Sequence, residues 1–153
     1  MLLRASTSGF SSRAGAPMQV TRVDQIAIAV PDLDEALAFY ERAFGLVPEY
    51  RERVDSDGVE EAMLDVGGVW LQLLQPTRDD SPIAKYLAKN GPGLHHLGFG
   101  VASVGDALDH LRDQDVRLID EEPRPGGGGH TVAFVHPKGT GGVLVELVED
   151  DAH

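Results

Sequence analysis

The chain has no cysteine. That excludes disulfides, thiolate catalysis and cysteine-based zinc sites. Any metal must be held by His, Asp, Glu or amide oxygen. No apolar run approaches the length needed to span a membrane. Positive charge is also scarce: 13 Lys and Arg stand against 25 Asp and Glu, a net charge of −12. That balance argues against nucleic acid or an anionic membrane as the main partner. An anionic small molecule would need a local positive centre, which a bound cation could supply.

Residues 1–17 lack Asp and Glu, carry Arg4 and Arg13, and are rich in serine. They read either as a mitochondrial-type transit segment or as sequence upstream of a start at Met18. The first reading places the protein in the mitochondrial matrix, the second in the cytoplasm.

What is present is one unit, twice. Val23–Val30 alternates as a strand does. Pro31 and Asp32 then make a turn with a helix N-cap, and Ala36, Leu37, Phe39, Tyr40 and Phe44 follow at helical spacing up to Gly45. Strands are expected over Leu46–Val54, Gly58–Val66 and Val69–Gln75. A second strand-and-helix pair begins at Leu94, with Ser103 as the helix cap and Val104, Ala107, Leu108 and Leu111 as its apolar face. Strands are expected again over Val116–Ile119, Thr131–His136 and Gly142–Val148.

The result is an α+β fold of two tandem βαβββ modules forming a cupped mixed sheet around a cavity. The modules are expected at 20–75 and 94–149, joined by a helical linker over 76–93, with tails at 1–19 and 150–153. Ser81-Pro82 starts the linker helix and Asn90-Gly91 ends it.

Side chains alternate across a strand. In the first strand Ile26, Ile28 and Val30 form an apolar face expected to pack under the helix, while Gln25, Ala27 and Ala29 form the other. In the second copy Leu97, Phe99 and Val101 pack, while His96, Gly98 and Gly100 face the other way. One polar residue followed by small ones fits a wall beside a ligand. It also fits a crowded strand–strand contact, and its recurrence in both copies favours a site. The last strands each hide one polar residue in an apolar run: Gln72 and Glu146. A carboxylate buried there needs a cation, a hydrogen-bond network or a metal. Gln25 and Gln72 are 47 residues apart, His96 and Glu146 are 50 apart, so the four occupy equivalent strands. If they converge, two amide oxygens, an imidazole and a carboxylate suit a divalent ion such as Co, Ni, Mn, Zn or Mg.

Several stretches resemble the methylmalonyl-CoA epimerase family of the vicinal-oxygen-chelate (glyoxalase-like) superfamily. They are Asp80-Ser81-Pro82-Ile83-Ala84-Lys85, Gly93-Leu94-His95-His96, Asp120 to Gly126, Phe134 to Lys138, and Gly142 to Leu147. The resemblance covers about residues 20 to 149. It implies an isomerase that interconverts the C2 epimers of methylmalonyl-CoA, a divalent metal (often cobalt) as cofactor, an acyl-CoA substrate and a homodimer. It places the metal ligands at Gln25, Gln72, His96 and Glu146. It places the catalytic carboxylate at Glu61, beside the equally acidic Glu60, and leaves Glu146 to double as second proton carrier. The chain departs from the family at Gln25, where the usual residue is His. Glyoxalase I enzymes can use Gln there, so a glyoxalase I-like lyase or isomerase on a thiol adduct is one alternative. A metal-free binding protein of the same fold is another. A two-His-one-carboxylate dioxygenase triad is not available from these positions.

Of the other histidines, His95 is expected to point away from His96, His110 to be exposed, and His136 to order a turn with Pro137. His130 and His153 have no evident partner. Gly126–Gly129 lacks the following helix that a phosphate cradle requires. Lys85, Lys89, Arg124 and Lys138 are candidate contacts for CoA phosphates.

Overall fold

The computed structural model describes residues 18–151, so the expected transit segment and His153 lie outside the described residues. Eight strands form a single sheet: β1 (Val20–Ala29), β2 (Tyr50–Val54), β3 (Val59–Val66), β4 (Val69–Pro76), β5 (Gly93–Val101), β6 (Arg124–Pro125), β7 (Thr131–Val135) and β8 (Val145–Glu149). Their spatial order is β2-β3-β4-β1-β5-β8-β7-β6. β1 runs parallel to β4, and β5 parallel to β8, while the central β1–β5 pair is antiparallel. The sequence repeat thus becomes a sheet whose two halves meet at their first strands. It is the cupped α+β architecture that the sequence predicts.

Three helices punctuate the sheet, each with a local start signal. Asp32 caps α1 (Leu33–Phe44) by accepting from the Glu35 N–H at 3.0 Å, and Gly45 ends it in the left-handed conformation, φ 70°. Ser81 caps α2 (Pro82–Asn90), with Pro82 at its first position. Ser103 caps α3 (Val104–Asp113) through the Asp106 N–H at 3.1 Å.

The core falls into three parts. α1 covers Val30, Ala62, Leu64 and Leu73 with Leu33. α3 covers Val101, Ala133, Val135, Val145 and Leu147 with Val104, Ala107 and Leu108. α2 places Ile83 against Ala27, Ala29, Val59 and Leu74. Those last residues alternate with the ones under α1, so α2 sits on the opposite, concave face of the sheet.

Four local expectations change. Ile28 and Val30 pack towards α1, but Ile26 is 37% exposed, because the helix does not reach that far along the strand. β2 begins at Tyr50 rather than Leu46, since Pro48 has no N–H to offer a neighbouring strand. β8 begins at Val145 rather than Gly142: Gly141 and Gly142 both have positive φ in a turn closed by the Gly142 N–H on the Pro137 carbonyl at 2.7 Å. Val116–Ile119 makes a lone bridge, Leu118 to Val135. The Asp120 carboxylate takes the Phe134 N–H at 2.8 Å in place of a strand carbonyl, and the edge pairing passes to Arg124–Pro125.

Candidate active site

The concave face carries polar side chains in rows that cross the sheet. In one row Gln25 of β1 lies opposite Gly98 of β5, and Gly98 lies opposite Glu146 of β8. A methyl group on Gly98 would sit 2.0 Å from Gln25 Oε1. The missing side chain is what lets the Gln25 amide reach across β5 and donate to Glu146 Oε1. In the next row Gln72 of β4 lies opposite Ala27 of β1, and Ala27 lies opposite His96 of β5. His96 Nε2 stands 3.2 Å from Glu146 Oε1 and 3.4 Å from Gln25 Nε2. The small residues expected beside a ligand therefore make room for polar side chains from neighbouring strands.

Gln72 donates to Glu61 Oε1 at 2.8 Å, and these two line the same cavities as Glu146. All five expected site residues thus gather on one face. Three meet directly, and Gln72 with Glu61 forms an adjoining pair. Gln25, Glu61, Gln72 and His96 are buried, as is Ser81.

The larger cavity, about 240 Å³, lies between the sheet and the start of α2. Glu61, Gln72, His95, His96 and Glu146 supply its polar wall, and Val59, Leu74, Ile83, Phe134 and Leu144 its apolar one. A smaller space of about 50 Å³ lies on the other side of Glu61 and Glu146, against Gln25, Tyr50, Met63 and Trp70.

Burial sets the chemistry of Glu61. At 4% exposure its carboxyl is pushed up to about 7, chiefly by loss of water. The Gln72 hydrogen bond opposes the rise, while Glu52, Glu146 and Asp57 add to it. A carboxyl with its affinity for protons near neutrality is suited to both accepting and returning one. Gly127 brings its backbone close, since a methyl group there would lie 2.9 Å from Glu61 Oε2.

Whether a cation fits can be judged from unpaired atoms. Gln25 Oε1 and Gln72 Oε1 are buried without a hydrogen-bond partner. A buried acceptor left unpaired costs roughly 1–3 kcal/mol. Among the described residues no three His, Asp or Glu side chains form a metal-binding group, so a cation here would rely on His96, Glu146 and the two amide oxygens, which it would draw in by turning over the amides whose nitrogens now face Glu146 and Glu61. Two unpaired oxygens, one imidazole and one carboxylate fit an oxygen-preferring divalent ion.

His95 departs from expectation. It faces the same cavity as His96, and the two Nδ1 atoms are 2.9 Å apart. The cause is a register shift between Ala27 and Ile28 opposite this point of β5, a bulge that turns two successive side chains to one face. Burial and the neighbouring His96 push His95 down to about 4. The sequence signal was the His-His pair itself; simple alternation misplaces its first member.

Arg124 also lines the cavity, 5.4 Å from the Phe134 ring centre, and Phe134 stacks edge-on to His96 at 5.3 Å. Lys85, Lys89 and Lys138 are exposed. His136 orders its turn by accepting the Lys138 N–H at 3.0 Å, and His110 is half-buried.

Residues 24–134 match the Glyoxalase/Bleomycin resistance protein/Dioxygenase superfamily. The chain belongs to that superfamily. Within it, a Bacillus subtilis relative, the uncharacterised protein YqjC, is 42% identical, covering 85% of this chain and 93% of that one. Human mitochondrial methylmalonyl-CoA epimerase is 38% identical, covering 87% and 76%. The fold matches a Streptomyces coelicolor methylmalonyl-CoA epimerase variant solved with 2-nitronate-propionyl-CoA, at TM-score 0.84 and 44% identity, covering 88% and 97%. As a member of this superfamily the chain resembles its epimerases along most of its length.

Proposed function

We propose that the protein is an isomerase that interconverts the C2 epimers of methylmalonyl-CoA, using Glu61 and Glu146 as proton carriers. The observation that carries this reading is the gathering of two carboxylates, one buried and one nearly so, with His96 and the Gln25 and Gln72 amides beside a cavity, the nitrogen of each amide donating to a carboxylate and its oxygen left unpaired. The likeness to methylmalonyl-CoA epimerases supports the choice of substrate.

Removing the C2 proton leaves negative charge shared between the thioester and the carboxylate of the substrate. A divalent cation held by Gln25, Gln72, His96 and Glu146 would supply positive charge where that negative charge develops. Glu61 takes the proton on one face, its burial making it a stronger base than an exposed carboxylate. Glu146 serves the other face. The apolar wall of the larger cavity excludes water and strengthens each of these interactions. A positioned acid or base contributes about 10²–10⁴-fold to rate. The reading also carries the homodimer implied by the resemblance. An apolar groove lined by Phe39, Tyr40 and Leu94, which is 68% exposed, offers a face for it, and light scattering measures it.

Deuterium exchange tests the proposal. In D₂O with methylmalonyl-CoA, the protein reconstituted with Co²⁺ or Mn²⁺ should incorporate deuterium at C2, and a chelator should abolish it. Glu61→Gln should lower exchange by at least about 10²-fold while leaving metal uptake intact. No exchange by reconstituted protein would overturn the reading. Turnover of a hemithioacetal instead would favour a glyoxalase I-type reaction, the chemistry that Gln25 keeps open.

A further inference from the structure

His95 has no part in the reaction proposed above, yet it is held from two sides inside the site. Tyr86 of α2 packs edge-on against its ring at 5.0 Å, and the Tyr86 hydroxyl donates to the Leu94 carbonyl at 2.6 Å. On its other side His95 Nδ1 meets His96 Nδ1 at 2.9 Å. Two imidazole nitrogens at that distance share one proton: one donates, the other accepts. The far nitrogen of His96 decides which. Its Nε2 faces Glu146 Oε1 at 3.2 Å. That oxygen already accepts from the Gln25 amide, and as an acceptor for His96 too it takes the Nε2 proton, so His96 Nδ1 accepts and His95 Nδ1 donates.

We propose that His95 is the positioning residue of His96, and that their shared hydrogen bond reverses direction when His96 Nε2 takes a cation. This rests on the metal reading above. A nitrogen bound to a cation carries no proton, so neutral His96 must then be protonated at Nδ1. His95 Nδ1 yields its proton across the bond and becomes the acceptor. His96 releases its Nε2 proton to solvent, His95 takes one from solvent at its own Nε2, and both rings stay neutral. Because either direction of the bond holds the His96 ring at the same angle, Nε2 stays aimed at Glu146 and Gln25 with or without the cation. The bulge in β5 has this consequence: it turns His95 inward, so that α2, through Tyr86, braces the ligand.

The test uses protein labelled with ¹⁵N-histidine and long-range ¹H–¹⁵N correlation, with and without Zn²⁺, which is diamagnetic. Without metal, the protons should be on His95 Nδ1 and His96 Nε2; with Zn²⁺ they should be on His96 Nδ1 and His95 Nε2. His95→Phe keeps the ring against Tyr86 but removes the acceptor, and should weaken Zn²⁺ binding on the order of 10–100-fold. His95→Asn, whose amide oxygen can accept in place of Nδ1, should recover most of it. A His95 tautomer that Zn²⁺ leaves unchanged, or His95→Phe binding Zn²⁺ as tightly as the parent, overturns the proposal alone. A parent protein that takes up neither Zn²⁺ nor Co²⁺ overturns the metal reading and this inference with it. If His95→Phe does not fold, the parent spectra decide.

Discussion

Gly98 lies between Gln25 and Glu146, and its lack of a side chain is what joins the two halves of the sheet chemically. A methyl group there collides with the far end of Gln25, not with backbone. Gln25 can swing aside, so Gly98→Ala should fold, with a stability loss at the low end of the roughly 1–3 kcal/mol typical of overpacking. The displaced amide no longer meets Glu146, and exchange activity should fall on the order of 10²-fold, as misplacement of a site group commonly does. Thermal unfolding and C2 exchange, measured together, check this. A variant that melts as the parent does and exchanges at full speed would show that Gln25 is not needed where it stands.

At the level of elements, α2 is the part that closes the larger cavity. Ser81 is fully buried at its start and accepts the Ile83 N–H at 3.1 Å, and Ile83 in turn packs on Ala27, Ala29, Val59 and Leu74. Ser81→Ala strands a buried N–H and should cost about 1–2 kcal/mol. For a domain of this size that lowers Tm by about 2–8 °C, measurable by calorimetry. Asp32 and Ser103 cap the other helices on the outer face of the sheet, so their loss should cost stability without opening the cavity. The caps of all three helices were legible in the sequence because capping depends on residues within one turn. The bulge in β5 was not, because it is a mismatch between β5 and β1, two strands distant in sequence.

Across the whole molecule, Glu61 ties stability to pH in the direction opposite to most carboxylates. Its folded value, about 7, lies above its ordinary 4.5. Between those values the folded chain keeps a proton that the unfolded chain has released. The contribution of Glu61 to folding is therefore full below pH 4.5, declines as pH rises through the window, and stays low above 7. Glu61→Gln cannot ionise and escapes the decline. Urea unfolding of the metal-free protein should show the variant gaining about 2–3 kcal/mol on the parent between pH 5 and pH 8, from 1.36 kcal/mol per pKa unit. An equal difference at both pH values would mean that Glu61 is not desolvated as the structure has it. Comparing parent with variant isolates this one group from the other acidic side chains of a chain with net charge −12.

The sequence by itself determined the repeated order of elements, the helix starts and stops, and which strands carry Gln25, Gln72, His96 and Glu146, since periodicity and capping are local. The alternation of polar and small residues also pointed to the concave face, because a strand's two faces are set by its own pleat. Only the tertiary structure decided who meets whom. The side-by-side pairing of β1 with β5 put Gly98 under Gln25, the bulge turned His95 inward, and the folding of β3 on β4 joined Glu61 to Gln72. Those contacts depend on register between strands far apart in the chain, and no local pattern encodes register at that distance.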